Sequence, residues 1–196
     1  MRKLILIAHI SLDGFVALEN GSLDGFDASD ENLGFVCKLT EDADTALFGR
    51  VSYQLLNNFW PMAKGRPGAT QNEINYSNWY NAATKIVISK TLVAPLHNTI
   101  ILNENFANEI SKIKRQAGKD ILIFGSTAIS QVLIELDLID SYWIFVNPAI
   151  FGKGVSLFKN MNHNINLKLV DVKRFANDEL ALHYLPIQNS NERYIE

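Results

Sequence analysis

Asp120-Ile121-Leu122-Ile123-Phe124-Gly125-Ser126-Thr127-Ala128 sets four consecutive apolar residues against a glycine and two hydroxyl residues. The apolar run has the length of a strand covered on both faces, as in a parallel sheet. Ile129, Val132, Leu133 and Leu136 then fall on one helical stripe, so the stretch reads as strand, tight turn and helix. The pattern recurs upstream. Thr45-Ala46-Leu47-Phe48 runs into Gly49-Arg50-Val51-Ser52 and a helix over 51–59 that stops at Trp60-Pro61. Lys85-Ile86-Val87-Ile88 runs into Ser89-Lys90-Thr91.

Outward from these junctions, Leu4 to Ile10 is a further buried strand, broken by Ser11-Leu12-Asp13-Gly14. Ser29 or Asp27 caps a helix over 31–41, and Thr99 to Leu102 is a short strand. A helix over 106–116 turns Ile110, Ile113 and Ala117 inward and ends near Gly118. Residues 14–30 and 61–80 read as loops. After Asp140 the pattern changes to a strand over 142–146, interrupted by Asn147-Pro148, and a hairpin of 167–175 with 179–185 about Asn177-Asp178. Strand–helix units first and antiparallel strands last predict an α/β fold. Its central sheet is mostly parallel, with helices on both faces and an antiparallel C-terminal edge. We expect one domain over 1–186 and a loosely held tail over 187–196.

Composition narrows the function classes. The chain has 196 residues, 47% hydrophobic and 20% charged, with a formal net charge of −3. It lacks the basic footprint of a nucleic-acid or anionic-membrane binder. The run after Met1-Arg2-Lys3 is too short for a signal peptide or a membrane span. One cysteine, Cys37, excludes an internal disulfide and fits a cytoplasmic location. It falls in a helix pattern, where a buried, inert thiol is expected. Four scattered histidines show no metal-ligand spacing, and no metal is expected. His9 reads as a hydrogen-bonded core or cleft residue.

Ligands of open α/β sheets bind outside the carboxyl ends of the strands. Gly49, Arg50, Val51 and Ser52 form one candidate anion turn, where glycine admits a close approach and arginine adds a fork of donors. Gly125, Ser126, Thr127 and Ala128 form a second, able to cradle a pyrophosphate, although Ser126 acting only as a helix cap accounts for it equally well. Ser89, Lys90 and Thr91 offer two hydroxyls and an ammonium, which suit a terminal phosphate such as the ribose 2′-phosphate of NADPH. Each alone also reads as an ordinary turn. Together they point to a dinucleotide site. Asp13 leaves the first strand at the same edge, placed to orient a polar substrate or supply a proton. Phe15 and Trp60 are candidate walls for a flat ring, whereas Trp79 reads as core.

These segments carry a family resemblance. Ser11-Leu12-Asp13-Gly14, Leu47-Phe48-Gly49-Arg50-Val51-Ser52-Tyr53, Trp60-Pro61, Ile88-Ser89-Lys90-Thr91, Phe124-Gly125-Ser126 and Pro148-Ala149-Ile150-Phe151-Gly152-Lys153-Gly154 occur in order over about residues 2–186. The chain resembles the dihydrofolate-reductase-like superfamily, and within it the C-terminal reductase domain of the bifunctional riboflavin-biosynthesis enzyme (RibD). The resemblance implies a three-layer fold of that superfamily and an NADPH-dependent reductase similar to 5-amino-6-(5-phosphoribosylamino)uracil reductase. Dihydrofolate-reductase-type activity and a non-catalytic NADPH-binding sensor are the alternatives. It further implies phosphate binding at Gly49–Ser52 and Gly125–Ala128 and the adenosine phosphate at Ser89–Thr91. The nicotinamide amide would meet Ala8 and Ile10, and Asp13 would be the substrate-side aspartate. A homodimer is expected from related proteins. This chain departs from the family in two places. Gly125-Ser126 stands where a double glycine is common, and no acid matches the helical acid of true folate reductases, the nearest being Asp30 and Glu31.

Overall fold

The computed structural model describes residues 1–27, 29–92, 98–159 and 161–187. The tail expected over 187–196 therefore lies, beyond Ile187, outside the described residues. In chain order the elements are β1 (Leu4–Ile10), β2 (Phe15–Ala17), α1 (Asp30–Glu41), β3 (Ala43–Gly49), α2 (Arg50–Asn57), α3 (Trp60–Ala63), α4 (Gln71–Ala82), β4 (Thr84–Ile88) and β5 (Thr99–Leu102). They continue with α5 (Phe106–Arg115), β6 (Asp120–Phe124), α6 (Thr127–Glu135), β7 (Ser141–Val146), β8 (Val155–Ser156), β9 (Leu167–Arg174) and β10 (Leu180–Pro186).

Eight strands form one sheet in the order β5-β4-β3-β6-β1-β7-β10-β9. β1 and β3 to β7 run parallel, and the C-terminal hairpin of β9 and β10 joins antiparallel to β7. Side chains alternate across the strands, so each face has its own core. Leu4, Leu6 and Ala8 pack with Ile110 of α5 and with Leu133 and Ile134 of α6. Ile7, Ala46, Phe48 and Leu122 pack on the other face with Val36 of α1, Tyr53 of α2 and Tyr76 and Tyr80 of α4. The result is the three-layer, mostly parallel α/β architecture.

The structure departs from the sequence reading in three places. Residues 61–80, read as loops, contain α3 and α4. Only Tyr76, Ser77 and Tyr80 of α4 are buried among many amides, so no apolar stripe announces it. Its start was legible, since Thr70 and Glu73 form a reciprocal capping box. Ala117 is exposed, and the buried residue at the end of α5 is Lys114. Its ammonium reaches Leu138 O at 2.8 Å and Asp140 Oδ2 at 2.6 Å, which stops its burial leaving a bare charge. Finally, β2, from a segment read as loop, pairs with β8 as a separate two-stranded ribbon.

Parallel strands bring their carboxyl ends to one edge. The order β4-β3-β6-β1 lines up Ser89, Gly49, Gly125 and the end of β1 along it. β1 stays paired to β7 as far as Ile10–Val146, but to β6 only as far as Ile7–Phe124. A crevice therefore opens between β1 and β6 at the point where the chain reverses its direction of travel across the sheet.

Candidate functional site

Two helix N-termini meet at this edge. α2 begins after Gly49 and α6 after Ser126, and neither has a side-chain cap. The N–H groups of their first turns stay open to an incoming acceptor. α1 and α4, by contrast, are closed by Ser29 and Thr70. Ser126 does not cap its own helix. It adopts a left-handed conformation (φ 54°) directly after left-handed Gly125 (φ 59°), and its Oγ accepts the Gly49 N–H at 2.6 Å. A Cβ on Gly49 would lie 2.4 Å from that oxygen, so glycine is needed for the two turns to close on each other. The departure from a double glycine thus stitches the β3 turn to the β6 turn.

Next along the edge, Ser89 Oγ accepts the N–H groups of Thr91 and Leu92 at 3.1 and 3.0 Å. This local turn presents exposed Lys90 and Thr91 outward. Arg50 and Val51 are exposed at the head of α2, and Ser52 is half-buried. From β4 to β1 is three strand spacings, roughly 14 Å. Phe15, Thr127, Ala128, Gln131, Gly154, Val155, Ser156 and Lys159 line a cleft of about 560 Å³ beside this row. Phe15 is therefore brought to the head of α6.

Four expected site residues sit differently. Ala8 and Ile10 pair with Ile144 and Val146 of β7, and the Ile10 carbonyl accepts the Asn147 N–H at 2.8 Å. By the alternation of a parallel ladder it is His9, between them, whose backbone turns to the open side. Trp60 lies tilted against Tyr76 at 4.3 Å and edge-on to Phe59 at 4.9 Å, so it belongs to the aromatic cluster of the α3–α4 face. Asp13 is a clasp. Its carboxylate accepts hydrogen bonds from Ser11 Oγ at 2.6 Å, Phe151 N at 3.1 Å and Gly152 N at 2.7 Å. The Ser11 hydroxyl first, then these two N–H groups, hold its pKa below the ordinary aspartate value. An acid so held is a poor proton donor. The clasp strengthens folding at neutral pH and is lost as pH falls through the lowered pKa. Melting temperatures of wild type and Asp13→Asn, followed from neutral to strongly acidic solution, should therefore converge at the acid end.

A polar cluster that sequence reading missed lies at the β1, β7 and β10 ends. Glu179, 1% exposed, accepts Asn147 Nδ2 at 2.9 Å and Asn32 Nδ2, and meets His9 Nδ1 at 2.8 Å. The His9 ring stacks on Phe145 at 4.5 Å, with Phe35 and Phe175 behind. His9, read as a hydrogen-bonded core or cleft residue, and Asn147 beside a proline at a strand end were the local hints. Glu179 lies 170 residues from His9 and 147 from Asn32 along the chain.

The fold is the dihydrofolate-reductase-like α/β architecture. Residues 2–181 match the RibD C-terminal domain, and the chain belongs to that family. Among curated relatives, it is 31% identical to YyaP of Bacillus subtilis (strain 168) over 185 residues, covering 93% of this chain and 94% of that one. It is 26% identical to YwjB of the same organism over 195 residues, covering 94% and 98%. Solved structures share the fold at low identity. A putative riboflavin biosynthesis protein from Shewanella sp. PV-4 aligns with a TM-score of 0.73 and 19% identity, covering 95% of this chain and 99% of that one. Dihydrofolate reductase from Enterococcus faecalis, complexed with NADP(H), aligns at 0.59 and 15%, covering 94% and 96%. The deaminase/reductase of Thermotoga maritima aligns at 0.67 and 18%, covering 95% of this chain but only 57% of that longer one.

Proposed function

We propose that this protein is an NADPH-dependent reductase acting on a small heterocyclic or phosphoribosyl-bearing substrate with a C=N or C=O bond. The observation that carries the reading is the pair of uncapped helix N-termini at adjacent strand ends, locked together by the Ser126–Gly49 hydrogen bond. Two converging N-termini favour a diphosphate, and the left-handed Gly125-Ser126 turn keeps the backbone low enough for it to approach. Lys90, Thr91 and Arg50 would hold the extra 2′-phosphate that separates NADPH from NADH. His9 would meet the nicotinamide amide through its backbone, and Phe15 would wall the cleft beside Thr127 and Ala128. The cofactor, when bound, supplies hydride; the chain supplies position and electrostatics. Family membership and the reductases among the structural neighbours support the same reading.

Calorimetric titration with NADPH and NADH tests it. NADPH should bind at least about tenfold more tightly, one charge-assisted contact being worth about 1.5 kcal/mol or more. Arg50→Ala should weaken NADPH by a similar factor. Wild-type affinity in that variant would move the phosphate site elsewhere, and no binding of either nucleotide would sink the reading. Tight binding without NADPH oxidation by any of a panel of pterins, pyrimidine ribosides and carbonyl compounds would make the protein a sensor instead.

A further inference from the structure

Hydride addition to a C=N or C=O bond delivers two electrons and one hydrogen to carbon. The π pair then moves to the heteroatom, which needs one proton from elsewhere. Asp13 is tied up by three donors, and α1 carries no free acid facing the sheet. Asp30 accepts from Thr70 Oγ1 and Asn72 Nδ2, and Glu31 is paired with Lys173 Nζ at 3.0 Å and with the Ala176 N–H at 3.1 Å.

We infer that His9, fixed by buried Glu179, is the proton donor of this site. The inference rests on the reductase reading above. Four observations carry it. His9 is the residue of β1 whose backbone turns to the open crevice. Its Nδ1 is engaged by a carboxylate that is itself shut away from water, while the imidazole side chain remains 37% exposed. Its Nε2 has no partner among the described residues and so is the nitrogen left for a ligand. The ring is held flat against Phe145, which fixes the direction in which Nε2 points.

The surroundings specify the roles. The two amide groups on Glu179 are both donors, so its carboxylate acts as an acceptor for a third donor, Nδ1–H of His9. This selects an imidazole protonated at Nδ1 when neutral and adds a charge-assisted bond when the ring is doubly protonated. In the reaction the Nε2–H bond breaks, its proton joins the substrate heteroatom, and its electron pair stays on Nε2. The ring returns to the neutral Nδ1–H form and is recharged from solvent at its exposed edge. Asn32 and Asn147 act on Glu179, and Glu179 acts on His9, so these three are positioning residues. Two charged groups near this cluster on β9 are already paired. Lys173 holds Glu31 and lies 4.9 Å from the Phe175 ring, and Arg174 pairs with Asp178. A substrate that exploits this device carries its reducible bond with the heteroatom turned toward α1 and β10.

The test reads the tautomer first, and needs neither cofactor nor substrate. Long-range ¹⁵N–¹H correlation spectra of the labelled wild-type protein in mildly alkaline solution should show His9 in the less common Nδ1–H form, and Glu179→Gln should release it to the Nε2–H form. A wild-type ring already in the Nε2–H form would overturn the inference. The second arm uses His9→Gln. Calorimetry should show that this variant still binds NADPH, while oxidation of NADPH by any active member of the panel falls at least about 100-fold. Turnover at the wild-type rate in His9→Gln would overturn the proposal while leaving the cofactor site intact. Loss of NADPH binding in the wild type itself would instead strike the reductase reading, with the tautomer result standing apart from it.

Discussion

Replacing Gly154 by alanine should lower the melting temperature by roughly 5–10 °C. The added Cβ would lie 2.3 Å from the Ala17 carbonyl oxygen and 3.1 Å from the Phe15 side chain. The first of these is main chain, which has no rotamer to move into. The β2–β8 ribbon must part, at about 2–3 kcal/mol for an overpacked site, and each kcal/mol shifts the melt by about 2–4 °C in a chain of this size. Phe15, Gly154 and Val155 also line the cleft beside α6, so nucleotide binding should weaken in the same variant. Scanning calorimetry and an NADPH titration on one preparation read both effects. An unchanged melt would mean that the ribbon yields freely and does not shape the cleft.

The second large effect belongs to Gly49→Ala. Gly49 has an ordinary extended conformation (φ −82°, ψ 166°), so its backbone tolerates a side chain. The obstacle is Ser126 Oγ at 2.4 Å, with Ile129 Cγ1 behind it at 3.3 Å. Either Ser126 rotates and abandons the Gly49 N–H, or the head of α6 moves away from α2. A lost hydrogen bond and a displaced donor turn together cost about 2–3 kcal/mol, which corresponds to a roughly 30- to 150-fold loss of NADPH affinity. Ser126→Gly added to Gly49→Ala should recover much of that loss, because it removes the clashing oxygen and suits the left-handed backbone better than serine does. Calorimetry on the four proteins of this cycle measures the coupling. Additive effects would show that the two turns do not bind one anion together.

The parallel strands were legible because each is a short apolar run bounded by glycine or a polar turn, as at Leu47-Phe48-Gly49 and Ile123-Phe124-Gly125. That pattern also located the phosphate-type turns, since a strand end and the next helix start are adjacent in sequence. What escaped was everything whose meaning depends on partners far along the chain. α4 buries rings among amides, and periodicity is blind to that. Ala8 and Ile10 were singled out, but only the strand order reveals that their backbones face β7 and that the open one is His9. Trp60 is an aromatic beside a proline in sequence and part of a cluster of tilted and edge-on rings in space. Glu179 sits at the head of a hairpin strand and looks like any solvent-facing glutamate until Asn32, Asn147 and His9 close around it.

The position of β1 bears on how the chain is assembled during synthesis. β1 lies between β6 and β7, yet about 110 residues separate its last residue from the first of β6. At translation rates of about 5–20 residues per second, that strand waits on the order of 5–20 s for either neighbour. Its apolar run, Leu4-Ile5-Leu6-Ile7, is meanwhile unpaired on both edges and a target for chaperones or for another nascent chain. β3, β4 and β5 are made consecutively and lie side by side, so they are free to associate early, whereas the central strand is inserted late. Growth temperature and chaperone supply should therefore govern soluble yield more strongly than the stability of the finished fold does.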